Sequence, residues 1–345
     1  MEKKCVSAAP IHHPSNTPPI LMVVVDTEEE FDWNKPFARE AIAVTAMQEI
    51  ERGQEICDSF GIKPVYVVDY PIVHQEMGFM PLLKLVTGDR AVIGTHLHPW
   101  VSPPFHEELS SQNAFPGNLD ADLELAKLAH LTGKIQQVFG QRPLIYKAGR
   151  YGRGPHTEDI LEYLGYCIDL SPMPPFDFRS VGGPDFSFFT PHPFWFGRGG
   201  EKNRLLCLPT SGGFVGFLRW QGQKIYSMAS APWMQRMRGL GILSRLGALE
   251  RVRLSPEGHT LEEMQRLTYA LLQDGVGVFT LSYHSPSLKP GCTPYVQDAI
   301  DLKYFLHRLE GYLDFFCNHL GGQVMTPFEI KAFLEGPRVI STALF

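Results

Sequence analysis

The sequence predicts an α/β fold, a (β/α)7 barrel, closed or distorted, in a single domain. Short continuous apolar runs recur along the chain, stretches with helical caps separate them, and nearly every run ends in a residue that can ligate a metal, move a proton or bind an anion. Continuous apolar runs bounded by helices suit parallel strands buried on both faces. Strands and helices in steady alternation close into a barrel, whose reactive residues sit at the C-terminal strand ends.

Taken in order, the first twenty residues, MEKKCVSAAPIHHPSNTPPI, are rich in Pro, Ser and Asn and contain no continuous apolar segment. Residues 1–19 are expected to form a poorly ordered arm, not a signal peptide. The runs are ILMVVVD (20–26), KPVYVVD (63–69), AVIGTHLH (91–98), PLIYKAGR (143–150), YCIDLS (166–171), LLCLPTS (205–211) and GVFTLSYH (277–284). A helix is expected over 38–61, closing at Gly61, and another over 120–140, capped by Asp120 and stopped by Gly140. In HTEDILEYLGY, Thr157 is the expected N-cap, with acids in the first turn. The stretch 255–275 takes Thr260 as cap and Gly275 as stop, and 297–322 is a strongly amphipathic final helix. The barrel is expected over 20–325 and a C-terminal tail over 326–345.

Composition narrows the function classes. A net charge of −6 and 44% hydrophobic residues describe a globular chain with no sign of a nucleic-acid surface or a polybasic membrane patch. The run ILMVVV is far too short to span a bilayer. Six cysteines lie scattered, with no CxxC pair or other metal-type spacing, which fits reduced thiols in the cytoplasm better than a disulfide framework. The oligomeric state leaves no trace in the sequence.

The strand ends read Asp26/Glu28, Asp69, His96/His98, Arg150, Asp169, Thr210/Ser211 and His284. His96 and His98 are two apart, so both can face the same side of a strand. Two neutral imidazoles and a carboxylate make a zinc-like site with an open position. Asp26 and Glu28 share that spacing, and one can ligate the metal while the other takes a proton from water. Arg150, among the glycines of KAGRYGRG, would fix a carboxylate or orient the base. His284 is placed to protonate a leaving group, and Asp169 could polarise a catalytic histidine, ligate the metal weakly or act only as a cap. The loop 174–200 is dense in Phe and suits either sugar rings or local packing. Trp100, Tyr151, Phe194 and Trp195 are the candidates for substrate contact. Ser211 to Phe214, SGGF, could offer backbone N–H groups to an oxyanion.

In order and content these motifs resemble the polysaccharide deacetylase superfamily, carbohydrate esterase family four. The resemblance rests on DTEEEFDW, VVDYP, GTHLHPW, KAGRYG and HSPSL, a set similar to a branch found in exopolysaccharide clusters, and covers roughly residues 20–325. It implies a distorted barrel holding a divalent metal, usually zinc, on one acid and two histidines, and a carbohydrate substrate that loses an N- or O-linked acetyl group. It places Asp26 as base, Glu28, His96 and His98 as metal ligands, and His284 as general acid, with Arg150 and Asp169 matching the family's arginine and fourth-motif acid. The chain departs from the family where the acids are split by Thr27 and the histidines are two apart instead of four, with His106 as the alternative second ligand. Related branches cleave cyclic amides and ureides. Two other classes compete: a glycoside hydrolase using Asp26 and Asp169 as paired carboxylates, and a non-catalytic glycan-binding partner using the aromatic loop.

Overall fold

The computed structural model describes residues 9–14, 16–196, 205–229 and 239–336. Parts of the expected arm and tail, Cys5 and residues 197–200 of the aromatic loop lie outside the described residues. The first half of the chain runs β1 (Ile20–Thr27), α1 (Glu51–Ser59), β2 (Val65–Val68), α2 (Tyr70–His74), α3 (Glu76–Thr87), β3 (Val92–Leu97), α4 (Ala121–Phe139), β4 (Ile145–Ala148), α5 (Thr157–Tyr163) and β5 (Ile168–Asp169). The second half runs β6 (Phe194–Trp195), β7 (Leu206–Cys207), β8 (Gly212–Val215), α6 (Gly222–Ala229), α7 (Gly239–Arg245), β9 (Glu250–Arg253), α8 (Leu261–Gln273), β10 (Val278–His284), α9 (Ala299–Asp314), β11 (Gln323–Val324) and α10 (Pro327–Glu335).

Each of the seven apolar runs contains one strand of the main sheet, in the order β10-β1-β2-β3-β4-β5-β7 with every neighbour parallel. β6 adds antiparallel to β7, and β11 pairs with the start of β1. Among the described residues no regular strand bridges β7 to β10. Leu254 N–H donates to the Ser211 carbonyl at 2.9 Å, and Ser282 N–H donates to the Leu254 carbonyl at 3.1 Å. That irregular closure is the distortion of the barrel. Ser211 Oγ accepts from Thr280 N–H, and Gly212 and Gly213 pair with β9. The SGGF segment therefore serves the sheet and not an oxyanion.

Side-chain alternation separates two cores. Leu21, Val23 and Val25 of β1 join Tyr66, Tyr146 and Phe279 beneath the helices. Ile20, Met22 and Val24 join Val67, Ile145, Ile168 and Leu206 inside the barrel. The inward column of β1 thus runs from apolar residues up to Asp26, because alternate residues share a face. The same parity carries Ile145 to Lys147.

The helices follow the sequence signals closely but not throughout. α4 stops at Gly140 in the left-handed region (φ 73°), and α8 begins with a capping box between Thr260 and Glu263. Residues 38–44 are not helical; a 3-10 turn over Thr45–Glu49 precedes α1. Thr157 lies inside α5, and its hydroxyl donates to Glu124 at 2.6 Å, so it ties α5 to α4 and is not the cap. α2 and α3 fall outside the helices expected from the sequence; Asp69 caps α2 by accepting from Ile72 N–H. Within the expected tail, α10 buries Ile330 against the barrel floor. In the expected arm, Ile11 N–H donates to the Pro193 carbonyl. The five described cysteines are free. Among the described residues no helix is long and apolar enough to cross a membrane.

Glu124 yields a pH test of this packing. It is fully buried, Oε2 has no hydrogen-bond partner, and burial pushes its carboxyl up to about 7 from the ordinary 4.5. A raised folded-state pKa contributes stability that is complete below the unfolded value and disappears as pH rises through the folded one. Between about pH 5 and about pH 8 the wild-type protein should lose roughly 3 kcal/mol relative to Glu124→Gln, read by urea unfolding. Parallel curves for the two proteins would contradict this account of Glu124.

Candidate metal centre and pocket

The inward columns of β1 and β3 converge at the barrel mouth. Glu28 Oε2 lies 3.5 Å from His96 Nε2 and 3.4 Å from His98 Nε2, and all three residues are buried. Each imidazole has its Nδ1 engaged, His96 at 2.9 Å from the Lys147 carbonyl and His98 at 2.8 Å from Glu29 Oε2. Acceptors at Nδ1 place the proton there and leave the Nε2 lone pairs aimed at the Glu28 carboxylate. Burial holds both imidazoles in the neutral form, His98 at about 4 and His96 well below its ordinary range. Burial and the neighbouring acids Glu29 and Asp26 push Glu28 well up. Three electron-rich atoms facing one another call for a cation between them. The donor set, one carboxylate oxygen and two imidazole nitrogens, is that of a three-ligand zinc-type site with an open position.

A second layer holds His98. Glu29 Oε1 accepts from Trp100 Nε1 at 2.8 Å, and the indole stacks on the His98 ring with centroids 4.2 Å apart. Behind them Asp69 accepts from Glu29 N–H, and burial together with the Glu29 charge pushes its carboxyl well up. Gly149 closes the side: a Cβ there would overlap the Leu97 carbonyl and the His98 ring.

Asp26 stands outside the Glu28–histidine triangle. Both its oxygens accept from Lys147 Nζ at 2.6 Å. Burial raises the Asp26 carboxyl, but Lys147 and the nearby imidazoles outweigh it and hold Asp26 below the usual carboxylate range. Lys147 in turn stays an ammonium, because Asp26 more than offsets its burial. His284 Nε2 lies 3.9 Å from Asp26 Oδ2, and its Nδ1 is 2.7 Å from Glu257 Oε2. Ser287 and the His284 backbone N–H fix the other Glu257 oxygen. The pair supplies an oriented imidazole beside an ionised carboxylate.

These groups floor a pocket of about 260 Å³ whose walls are aromatic, with Phe31, Trp33, Phe37, Phe178 and Tyr295 lining it beside Arg150, Tyr151 and Arg253. Trp33 sits 5.2 Å from the His284 ring and 5.7 Å from the Tyr295 ring. A larger and more open cleft of about 830 Å³ lies over the start of α4. It holds His106, which is exposed and remote from the metal cluster.

Of the residues expected from sequence, Asp26, Glu28, His96, His98, Arg150, Tyr151 and His284 meet at this pocket. Four do not. Asp169 is sealed beneath the floor, accepting from Arg153 at 3.1 Å and Ser171 at 2.5 Å, so Glu257 orients the histidine in its place. Without a second pocket carboxylate at Asp169, the two-carboxylate glycosidase reading loses its partner for Asp26. Trp100 is buried at 1% exposure and supports His98 from behind, out of substrate reach. Phe194 packs among Phe189 and Phe196, and Trp195 covers the outer end of the inner core under Lys331. Among the described residues the aromatic loop reaches the pocket only through Phe178 and Val181. Of the two roles expected for Arg150, orienting the base falls to Lys147; Arg150 itself donates to the Ser111 carbonyl and faces the pocket, in place to fix a carboxylate. A lysine inside an apolar strand, at the inward parity of Ile145, was a readable sign of a buried ion pair. Glu257, in the loop SPEGHT, carried no comparable signal.

No protein-family model matches the chain, and no curated protein sequence matches it. The fold is similar to that of Puue allantoinase, at 13% identity and a TM-score of 0.51, covering 93% of this chain and 95% of that one. It is similar also to the 4-alpha-glucanotransferase from Thermococcus litoralis, at 11% identity and a TM-score of 0.50, covering 93% of this chain but 41% of that one. A protein described as a polysaccharide deacetylase from Mycobacterium smegmatis aligns at 18% identity and a TM-score of 0.46, over 88% of this chain and 87% of the other. At these identities the likeness is one of fold.

The support of His98 can be measured directly. Glu29→Gln keeps the side chain's size but removes the charge that fixes the imidazole, and should weaken zinc binding roughly ten- to a hundredfold in chelator competition. Unchanged affinity would show that Glu29 does not position His98.

Proposed function

We propose that this chain is a metal-dependent hydrolase that removes acetyl groups, N- or O-linked, from a carbohydrate or polysaccharide precursor. The observation that carries the reading is the placement of Asp26 and His284 beside the Glu28–His96–His98 triangle on the floor of one aromatic pocket. Glu28, His96 and His98 would hold a zinc-like ion, which when bound supplies Lewis acidity toward an acyl oxygen and makes water a better nucleophile. Asp26, kept ionised and oriented by Lys147, takes the proton of the attacking water. His284, set by Glu257, delivers a proton from Nε2 to the departing sugar nitrogen or oxygen. Trp33 and Tyr295 offer faces to the sugar ring. The DTEEEFDW, GTHLHPW and HSPSL motifs support the same assignment.

A second reading, hydrolysis of another non-peptide C–N bond in a cyclic amide or ureide, is favoured by the likeness to an allantoinase over nearly the whole of both chains. Product analysis separates the two: acetate from an acetylated sugar against ring opening of a cyclic ureide. A glycan-binding partner without catalysis would yield neither.

Acetate release from acetylated sugars by the zinc-loaded protein should be lost on chelation and restored by zinc. Asp26→Asn should retain metal and lose roughly a hundredfold or more in kcat. His284→Ala should cripple turnover of an acetylated sugar yet largely spare an activated aryl acetate, whose phenolate leaves without a proton. Chelator-insensitive glycosidic cleavage would overturn the proposal. Equal loss of both substrates in His284→Ala would overturn the general-acid role.

A further inference from the structure

We infer that the acylated compound taken by this pocket carries a fixed negative charge, a carboxylate or a phosphate; the inference rests on the deacetylase reading and names the substrate class for it. Two guanidinium groups, Arg150 and Arg253, line the pocket wall. Among the described residues neither forms an ion pair. Arg150 donates once, from Nη1 to the Ser111 carbonyl at 3.0 Å, and its guanidinium lies against the Phe115 ring at 3.8 Å and the Phe37 ring at 4.9 Å. Among the described residues the Arg253 side chain donates only to the Tyr295 hydroxyl, at 3.4 Å from Nη2, while its backbone is pinned in the β8–β9 ladder. By contrast Arg153, three residues after Arg150 and off the pocket, is matched by both Asp169 and Glu158.

The acids around the pocket are engaged elsewhere: the Glu257 charge favours the Arg253 cation from a distance but makes no ion pair with it, being held by His284 and Ser287. Asp26 is matched by Lys147, Asp32 by Lys35 at 3.1 Å, and Glu28 faces the two imidazoles. A guanidinium remains cationic in a protein, and both of these are half-buried without an ionic partner, a state that a bound anion would relieve. Burial pushes Arg150 down only to about 10, still charged at neutral pH. Its backbone is strained as well: Arg150 and Tyr151 both occupy the left-handed region, at φ 56° and 58°, where neither residue gains from being there. Unpaired charge and backbone strain at a pocket wall mark a group held ready for a ligand, and planar five-donor guanidinium suits a carboxylate or phosphate. The aromatic faces next to them take the ring of the same molecule.

The test compares kcat/KM of the zinc-loaded protein for N-acetylglucosamine, N-acetylglucosamine 6-phosphate and N-acetylmuramic acid. At least one anionic compound should exceed the neutral one about tenfold or more, with the advantage shrinking as salt rises. Whichever anion is favoured identifies carboxylate or phosphate as the charge. Arg253→Gln and Arg150→Gln should bring the ratio toward one, and Arg253→Lys should keep part of it, with zinc content checking that each variant is folded. Equal turnover of all three compounds, or an anionic preference that survives both glutamine variants, would overturn the inference. If no compound releases acetate, the deacetylase reading fails by itself, and calorimetry with glucosamine 6-phosphate and glucosamine decides. Arginine-dependent binding of the phosphate alone upholds the charged-ligand inference, and its absence overturns it.

Discussion

Five buried carboxyl groups crowd one end of the barrel, and the structure there is organised around neutralising them. Asp26, Glu28, Glu29, Asp69 and Glu257 are each 4% exposed or less, and of the buried lysines Lys147 alone reaches this cluster, since Lys127 is bound to Glu107 and to the Pro99 and Ser102 carbonyls. Isolated buried charges are untenable, so each of these acids must find a partner or, as the raised Glu28 and Asp69 carboxyls favour, keep its proton until a cation replaces it. Lys147 answers Asp26, the His98 Nδ1–H and the Trp100 indole answer Glu29, backbone N–H groups answer Asp69, and His284 and Ser287 answer Glu257. Glu28 alone is left facing lone pairs. A cation at that point completes the set.

This requirement reaches into the fold. Lys147 occupies an inward position in β4 that an apolar residue would otherwise fill, and its carbonyl also fixes the tautomer of His96. Trp100 is withdrawn from solvent because Glu29 needs its N–H. Gly149 is required because β4 must end against the His98 ring. The same residues that satisfy the acids thereby set the orientation of the candidate ligands, base and acid, which is how a cavity can be rigid before any substrate arrives.

Much of this was legible in the sequence, and the reason is parity. Strands alternate with a period of two, so Asp26, Glu28, His96 and His98 could be assigned to one side without coordinates, and the seven apolar runs marked the seven parallel strands. What escaped were the partners, since these depend on contacts between distant segments. Arg150 and Lys147 lie three residues apart in one motif; inward parity in β4 carries Lys147 to Asp26, while the left-handed turn at Arg150 and Tyr151 sends Arg150 to the pocket wall. Asp169 ends a strand as expected, yet Arg153 from another loop seals it. Trp100, Phe194 and Trp195 are aromatic and near strand ends, but whether such a ring faces substrate or core is settled by packing. Glu257 comes from an irregular loop with no periodicity to read.

The central claim is that Glu28, His96 and His98 hold a divalent cation, and X-ray absorption at the zinc edge of the reconstituted protein tests it most directly. The expected spectrum shows about one zinc per chain with imidazole and oxygen scatterers at about 2.0–2.2 Å and no sulfur. Failure to retain zinc after dialysis, or a first shell without imidazole, would contradict the account.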